Sequence, residues 1–136
     1  MQIITELKNN ITSLAQKYNL ELVVLFGSQA NGKTHKNSDL DIAILKDGDL
    51  SNENEWQFAN EISRISGIKN VEVINIKTAS PILLKEITDK GINLYEKKSG
   101  LFSFERMRAF KMFVESKPLR ILRDKKLLEF LSLRKV

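Results

Sequence analysis

The chain has 136 residues, 42% of them hydrophobic, with 22 lysines and arginines against 17 aspartates and glutamates, one histidine and no cysteine. A domain of this length buries roughly two-thirds of the surface that its unfolded chain exposes, so it can hold a core without cross-links. The lack of cysteine excludes disulfide frameworks, thiolate-bound zinc, iron–sulfur clusters and thiol nucleophiles. No apolar run approaches the roughly 20 residues that span a bilayer, and the opening MQIITELKNN is too polar for a signal peptide, which points to the cytoplasm.

The formal net charge of +5 is unevenly placed. Residues 1–97 carry 11 basic and 13 acidic side chains, net −2, whereas residues 98–136 carry 11 and 4, net +7. A general attraction to polyanions therefore does not describe the first segment. The chain divides into a core over 1–97 and a basic helical extension over 98–136.

In chain order, Ile3, Ile4, Leu7, Ile11, Leu14, Ala15 and Tyr18 recur at helical spacing and predict an amphipathic helix. Leu22 to Phe26 is apolar without alternation and stops at Gly27, the pattern of a strand buried on both faces. The polar stretch Ser28 to Ser38 reads as a loop or short helical turn. A second strand runs from Asp39 to Leu45 and closes on the turn residues Lys46-Asp47-Gly48-Asp49. Trp56, Phe58, Ala59, Ile62 and Ile65 predict a helix over 53–66, with Trp56, Phe58 and Ile62 in the core. Val71 to Ile76 forms a third strand. Ser80 and Pro81 open a helix that Gly91 ends, and Ile92 to Tyr95 makes a fourth strand. This order predicts an α/β sheet covered by helices. After the junction Lys97-Lys98-Ser99-Gly100, one helix carries Phe104 to Val114 and another Leu119 to Leu133, with Pro118 between them.

Chemistry concentrates in Gly27-Ser28 and Asp39-Leu40-Asp41. Strand side chains alternate, so the two aspartates project from one face with Cα atoms about 7 Å apart. Two unpaired carboxylates in a strand of Leu, Ile and Ala would each cost on the order of several kcal/mol. A cation should compensate, and Mg²⁺ is typically held by one or two carboxylates together with substrate phosphates. Gly27 lets backbone N–H groups approach a phosphate, and the Ser28 hydroxyl adds a donor. A phosphate cradle beside a metal-binding pair suggests phosphoryl or nucleotidyl transfer. The competing structural reading makes Asp39 a solvated turn residue at a strand edge.

Gly27-Ser28, ten intervening residues and Asp39-Leu40-Asp41 resemble the signature of the DNA polymerase beta-like nucleotidyltransferases. Within that superfamily, the small size and leading helix are similar to the minimal nucleotidyltransferases, or MNT proteins, and to the antitoxin half of HEPN/MNT toxin–antitoxin pairs. The resemblance covers residues 1–97. It implies a nucleotidyltransferase-type α/β fold, a mixed sheet covered by helices with a C-terminal helical extension. It also implies a Mg²⁺-dependent enzyme that moves AMP from ATP to a tyrosine of a HEPN ribonuclease toxin and so neutralises it. Asp39 and Asp41 would bind the metal, Gly27 and Ser28 the phosphates, and Glu72 would be the third ligand or the general base. The family pattern has Asp where this chain has Glu72, and many relatives place a basic residue where it has Gln29. Lys33 or Lys36 would then meet the triphosphate charge. Glu72 also reads as an outward-facing residue of an edge strand, and His35 as an exposed loop residue.

In the extension, basic residues such as Arg106, Arg108, Lys111, Arg120, Arg123, Lys125, Lys126, Arg134 and Lys135 interleave with large apolar ones such as Phe104, Met107, Phe110, Leu122, Leu127, Leu128 and Leu131. A charged helix face is ordinarily just solvated, and the apolar stripe could pack back on the sheet. A short appendage cannot bury so many apolar groups alone, however, and an exposed apolar patch rimmed by charge marks a partner surface. A protein partner is favoured over nucleic acid. Besides the enzyme, two further readings stand: an antitoxin that neutralises by occluding its toxin, and a small-molecule nucleotidyltransferase. The last is disfavoured because no second substrate-binding domain is visible.

Overall fold

The computed structural model describes residues 2–31, 39–48 and 50–134. In chain order these form α1 (Gln2–Lys17), β1 (Leu20–Phe26), α2 (Ser28–Asn31), β2 (Leu40–Lys46), α3 (Asn52–Ser66) and β3 (Val71–Asn75). A 3₁₀ turn (Ile76–Thr78) follows, then α4 (Pro81–Lys90), β4 (Ile92–Glu96), α5 (Leu101–Glu115) and α6 (Lys117–Arg134). The four strands make one mixed sheet in the order β3-β2-β1-β4. β1 runs antiparallel to both β2 and β4, and β2 runs parallel to β3. The α/β sheet covered by helices is therefore as expected.

Both faces of the sheet are apolar because its two central strands are buried almost throughout. Leu20, Val23 and Leu25 of β1 and Leu40, Ile42 and Ile44 of β2 pack with Leu7 and Ile11 of α1 and Phe58 and Ile62 of α3. Leu22, Val24 and Phe26 of β1 and Ala43 and Leu45 of β2 face the other way, against Leu84 and Ile87 of α4 and Ala109 of α5. Phe58 is fully buried and meets the Tyr18 ring edge-on, 5.7 Å between centroids. Truncating it leaves a cavity that the rigid neighbours cannot fill, so Phe58→Ala should lower the unfolding free energy by about 3–5 kcal/mol, read from urea denaturation.

Trp56 corrects one expectation: it is 67% exposed, not core. At 3.6 residues per turn, a two-residue step rotates a side chain roughly 200° around the axis. Trp56 and Phe58 therefore cannot share a face, and the buried pair is Phe58 with Ile62. β2 begins at Leu40, so Asp39 stands one residue outside the strand. β3 ends at Asn75, whose side-chain carbonyl accepts the Lys77 N–H at 3.0 Å and turns Ile76 into the 3₁₀ helix. The start of α4 is as expected, with Pro81 in its first turn and Ser80 Oγ accepting the Leu83 N–H at 3.2 Å.

The two extension helices differ in packing. α5 lies along α4: Arg106 Nε donates to the Thr88 carbonyl at 3.0 Å, and Arg108 holds the buried Glu105 at 2.7 Å. α6 leaves the body, and from Lys117 to Leu133 every residue except Arg120 is exposed. Pro118 sits inside the first turn of α6 rather than between the helices, a place where proline costs no helical hydrogen bond. The elbow at Ser116 is fastened by Arg120, which donates to the Phe113 carbonyl at 2.6 Å and to Ser116 Oγ, and stacks 3.9 Å over the Phe113 ring. No described helix is long and apolar enough to cross a membrane.

Candidate active site

Strand register assembles the site. Phe26, the last residue of β1, pairs with Asp41 of β2, and Asp41 pairs with Glu72 of β3. In a parallel pair, partnered residues face the same side, so the Asp41 and Glu72 carboxylates share the sheet face that also carries Ala43 and Leu45. α4 and α5 cover this face over β1 and β4, away from the β2–β3 end. Asp41 is half-buried at that end, while Glu72 and Asp39 are exposed.

Among the described residues, nothing lowers the Asp41 carboxyl. Burial, then the facing Glu72 and finally Asp39 push the Asp41 carboxyl above its ordinary value of 3.8. All these influences act in one direction, as expected where partly buried carboxylates gather.

Gly27 lies against this carboxylate. Its backbone is left-handed, φ +77°. A Cβ there would run into Asp41 Oδ2, with Asp41 Cγ at 3.1 Å and Cβ at 3.3 Å. Ser28 follows as the first residue of α2, and the Gly27 carbonyl accepts the Ala30 N–H at 3.1 Å. Sequence reasoning assigned Gly27 to phosphate approach; the structure adds that it makes room for Asp41. That second role had no sequence signal, because it depends on the Phe26–Asp41 register.

The structure thus places Gly27, Ser28, Asp41 and Glu72 at one end of the sheet, with Asp39 at its mouth. Lys33, His35 and Lys36 lie outside the described residues. Among the described residues, no three His, Asp or Glu side chains are gathered as a ready-made metal cage. Mg²⁺ does not require one, because substrate phosphates and water complete its octahedron. Hard oxygen donors and mutual repulsion at Asp41 fit such an ion.

A strand-end Gly-Ser beside paired carboxylates suits nucleotidyl transfer, and residues 9–100 match the family described as Polymerase beta, Nucleotidyltransferase. The chain belongs to the polymerase beta nucleotidyltransferases. Over 94 residues it is 32% identical to protein adenylyltransferase MntA of Shewanella oneidensis. The match covers 69% of this chain and 63% of that protein, so the chain spans less than two-thirds of the curated relative's length. Among solved structures, a toxin–antitoxin with AMP-PNP superposes with a TM-score of 0.77 at 24% identity, over 89% of this chain and 98% of the other. A tri-AMPylated Shewanella oneidensis HEPN toxin in complex with an MNT antitoxin gives 0.73 at 20% identity, covering 92% and 98%. At these identities the likeness is one of fold. As a polymerase beta nucleotidyltransferase, the chain carries its family match across β1 to β4, and the match stops one residue before α5.

Proposed function

We propose that this nucleotidyltransferase is a cytoplasmic antitoxin that moves AMP from ATP onto a tyrosine hydroxyl of a HEPN-type ribonuclease partner and so silences it. Residues 1–97 carry the chemistry and the extension, 98–136, docks the partner. The observation that carries this reading is the half-buried Asp41 facing Glu72 beside Gly27. The names of the relatives, a protein adenylyltransferase and an MNT antitoxin with an AMPylated HEPN toxin, support the acceptor.

Asp39 and Asp41 would hold Mg²⁺, with Glu72 as a further ligand or as the base. The ion, when bound, offsets the triphosphate charge and orients the reacting phosphate. Backbone N–H groups at Gly27 and Ser28, with the Ser28 hydroxyl, donate to the phosphate oxygens and fix the nucleotide. Glu72 is exposed on an edge strand, where an incoming hydroxyl arrives. As the base it takes the hydroxyl proton while the tyrosyl oxygen bonds to the α-phosphorus. The bond from that phosphorus to the bridging oxygen breaks, and pyrophosphate leaves.

The intact mass of the co-expressed partner tests this. With ATP and Mg²⁺ the partner should gain the mass of one AMP or a whole multiple, and chelation by EDTA should prevent the gain. An unchanged mass with full neutralisation would instead support occlusion, a reading favoured by the exposed apolar side chains of α5 and α6.

A further inference from the structure

Where α6 leaves the body, it closes a cavity of about 320 Å³ against the start of α4, lined by Pro81, Ile82, Leu119, Arg120 and Arg123 together with two serines. Ile82 and Leu119 are 48% and 70% exposed, so the cavity opens to solvent. Its lining is largely apolar, and the space suits one large side chain.

An exposed face of α6 runs outward from the cavity, and the two together make the proposed groove. Arg120, Arg123, Leu127 and Leu131 follow one another at steps of three and four residues, so they form a single face of α6 that starts in the cavity and runs outward. Leu127 and Leu131 are 53% and 43% exposed. The helix is about 27 Å long at 1.5 Å per residue, long enough to lie beside several turns of another helix. Its 18 residues include six basic and two acidic ones. Arg120 is committed to the elbow. Arg123 meets Asp124 at 3.9 Å in a pair about two-thirds exposed on both sides, too loose and wet to satisfy a guanidinium.

We propose that this groove binds an acidic amphipathic helix of the protein partner, one large apolar side chain filling the cavity and a carboxylate meeting Arg123. The argument is charge complementarity joined to an apolar floor. A nucleic acid would answer the basic residues but leave Leu119, Leu127 and Leu131 in water, forfeiting the burial that drives tight association. A second copy of the chain would bring two basic helices together, and like charges across an interface cost several kcal/mol as an order of magnitude. The identity of the partner used below rests on the function proposed above; the groove and its chemistry do not.

Binding of the full chain to the HEPN partner, followed by biolayer interferometry, tests the inference. Leu119→Asp and Arg123→Glu should each weaken binding by about tenfold or more, because one spoils the cavity and the other reverses the charge. Both sites are exposed, so far-UV circular dichroism and the melting temperature should stay at wild-type values. Raising salt from about 0.05 M to about 0.5 M should weaken the wild type more than Arg123→Glu. Binding by both variants within about twofold of wild type, or no binding by the wild type, overturns the proposal. So does a single-stranded RNA 20-mer that displaces the partner and itself depends on Arg123, or a dimer of this chain abolished by Leu119→Asp. AMP transfer with groove-independent binding would sink this inference and leave the function standing. Groove-dependent binding without transfer would do the reverse.

Discussion

Asp41→Asn is expected to reduce AMP transfer at least about a hundredfold while raising the melting temperature of the metal-free protein at neutral pH. The activity loss would follow from removing one of the carboxylates proposed to hold Mg²⁺. The gain in stability follows from the same carboxylate, which burial, Glu72 and Asp39 together hold above its ordinary 3.8. A carboxyl whose folded value lies above its unfolded one stabilises the fold fully below 3.8 and loses that contribution as pH rises through the raised value. At neutral pH the folded wild type therefore carries an unfavourable charge that asparagine lacks. Thermal melts in EDTA should show the two proteins converging at low pH and separating as pH climbs. Mg²⁺ with ATP should raise the wild-type melting temperature and leave the variant's unchanged. A variant less stable than wild type at neutral pH would mean that the carboxylate makes a favourable contact, contrary to this reading.

The second large effect belongs to Gly27→Ala. An alanine at φ +77° costs about 1–2 kcal/mol from the left-handed backbone alone. Its Cβ would also displace the Asp41 carboxylate, so transfer should fall by about a hundredfold even where the protein remains folded. Gly48→Ala is the control, because φ there is +98° and a Cβ would meet nothing within 4 Å. It should show the backbone cost in urea unfolding and keep transfer intact. Equal activity in the two variants would refute the contact between Gly27 and Asp41.

The elements of the fold were legible where one physical signal acted alone. The unbroken apolar run over residues 22–26 reads as a strand covered on both faces, as it is, and Ser80-Pro81 marks the start of α4. Errors arose where two signals overlapped. Trp56 sits amid apolar residues at roughly helical spacing, yet the rotation between neighbours puts it on the wet side of α3. Asp39 looks like the first residue of an alternating strand, but pairing begins at Leu40. In the extension, contact with α4 separates α5 from α6: Arg106 and Ala109 fasten α5, while α6 is exposed from Lys117 to Leu133 except at Arg120.

By itself, then, the sequence determined the strand and helix order, the divided charge, and the Gly27-Ser28 and Asp39-Leu40-Asp41 spacing that carries the family resemblance. These depend on residue type and short spacing, which the chain carries locally. Tertiary structure alone decided which residues Asp41 faces, why residue 27 must lack a side chain, and which of the two basic helices is left uncovered. Those facts depend on strand register and helix docking, in which residues 14 or more positions apart meet, and one-dimensional spacing does not encode such meetings.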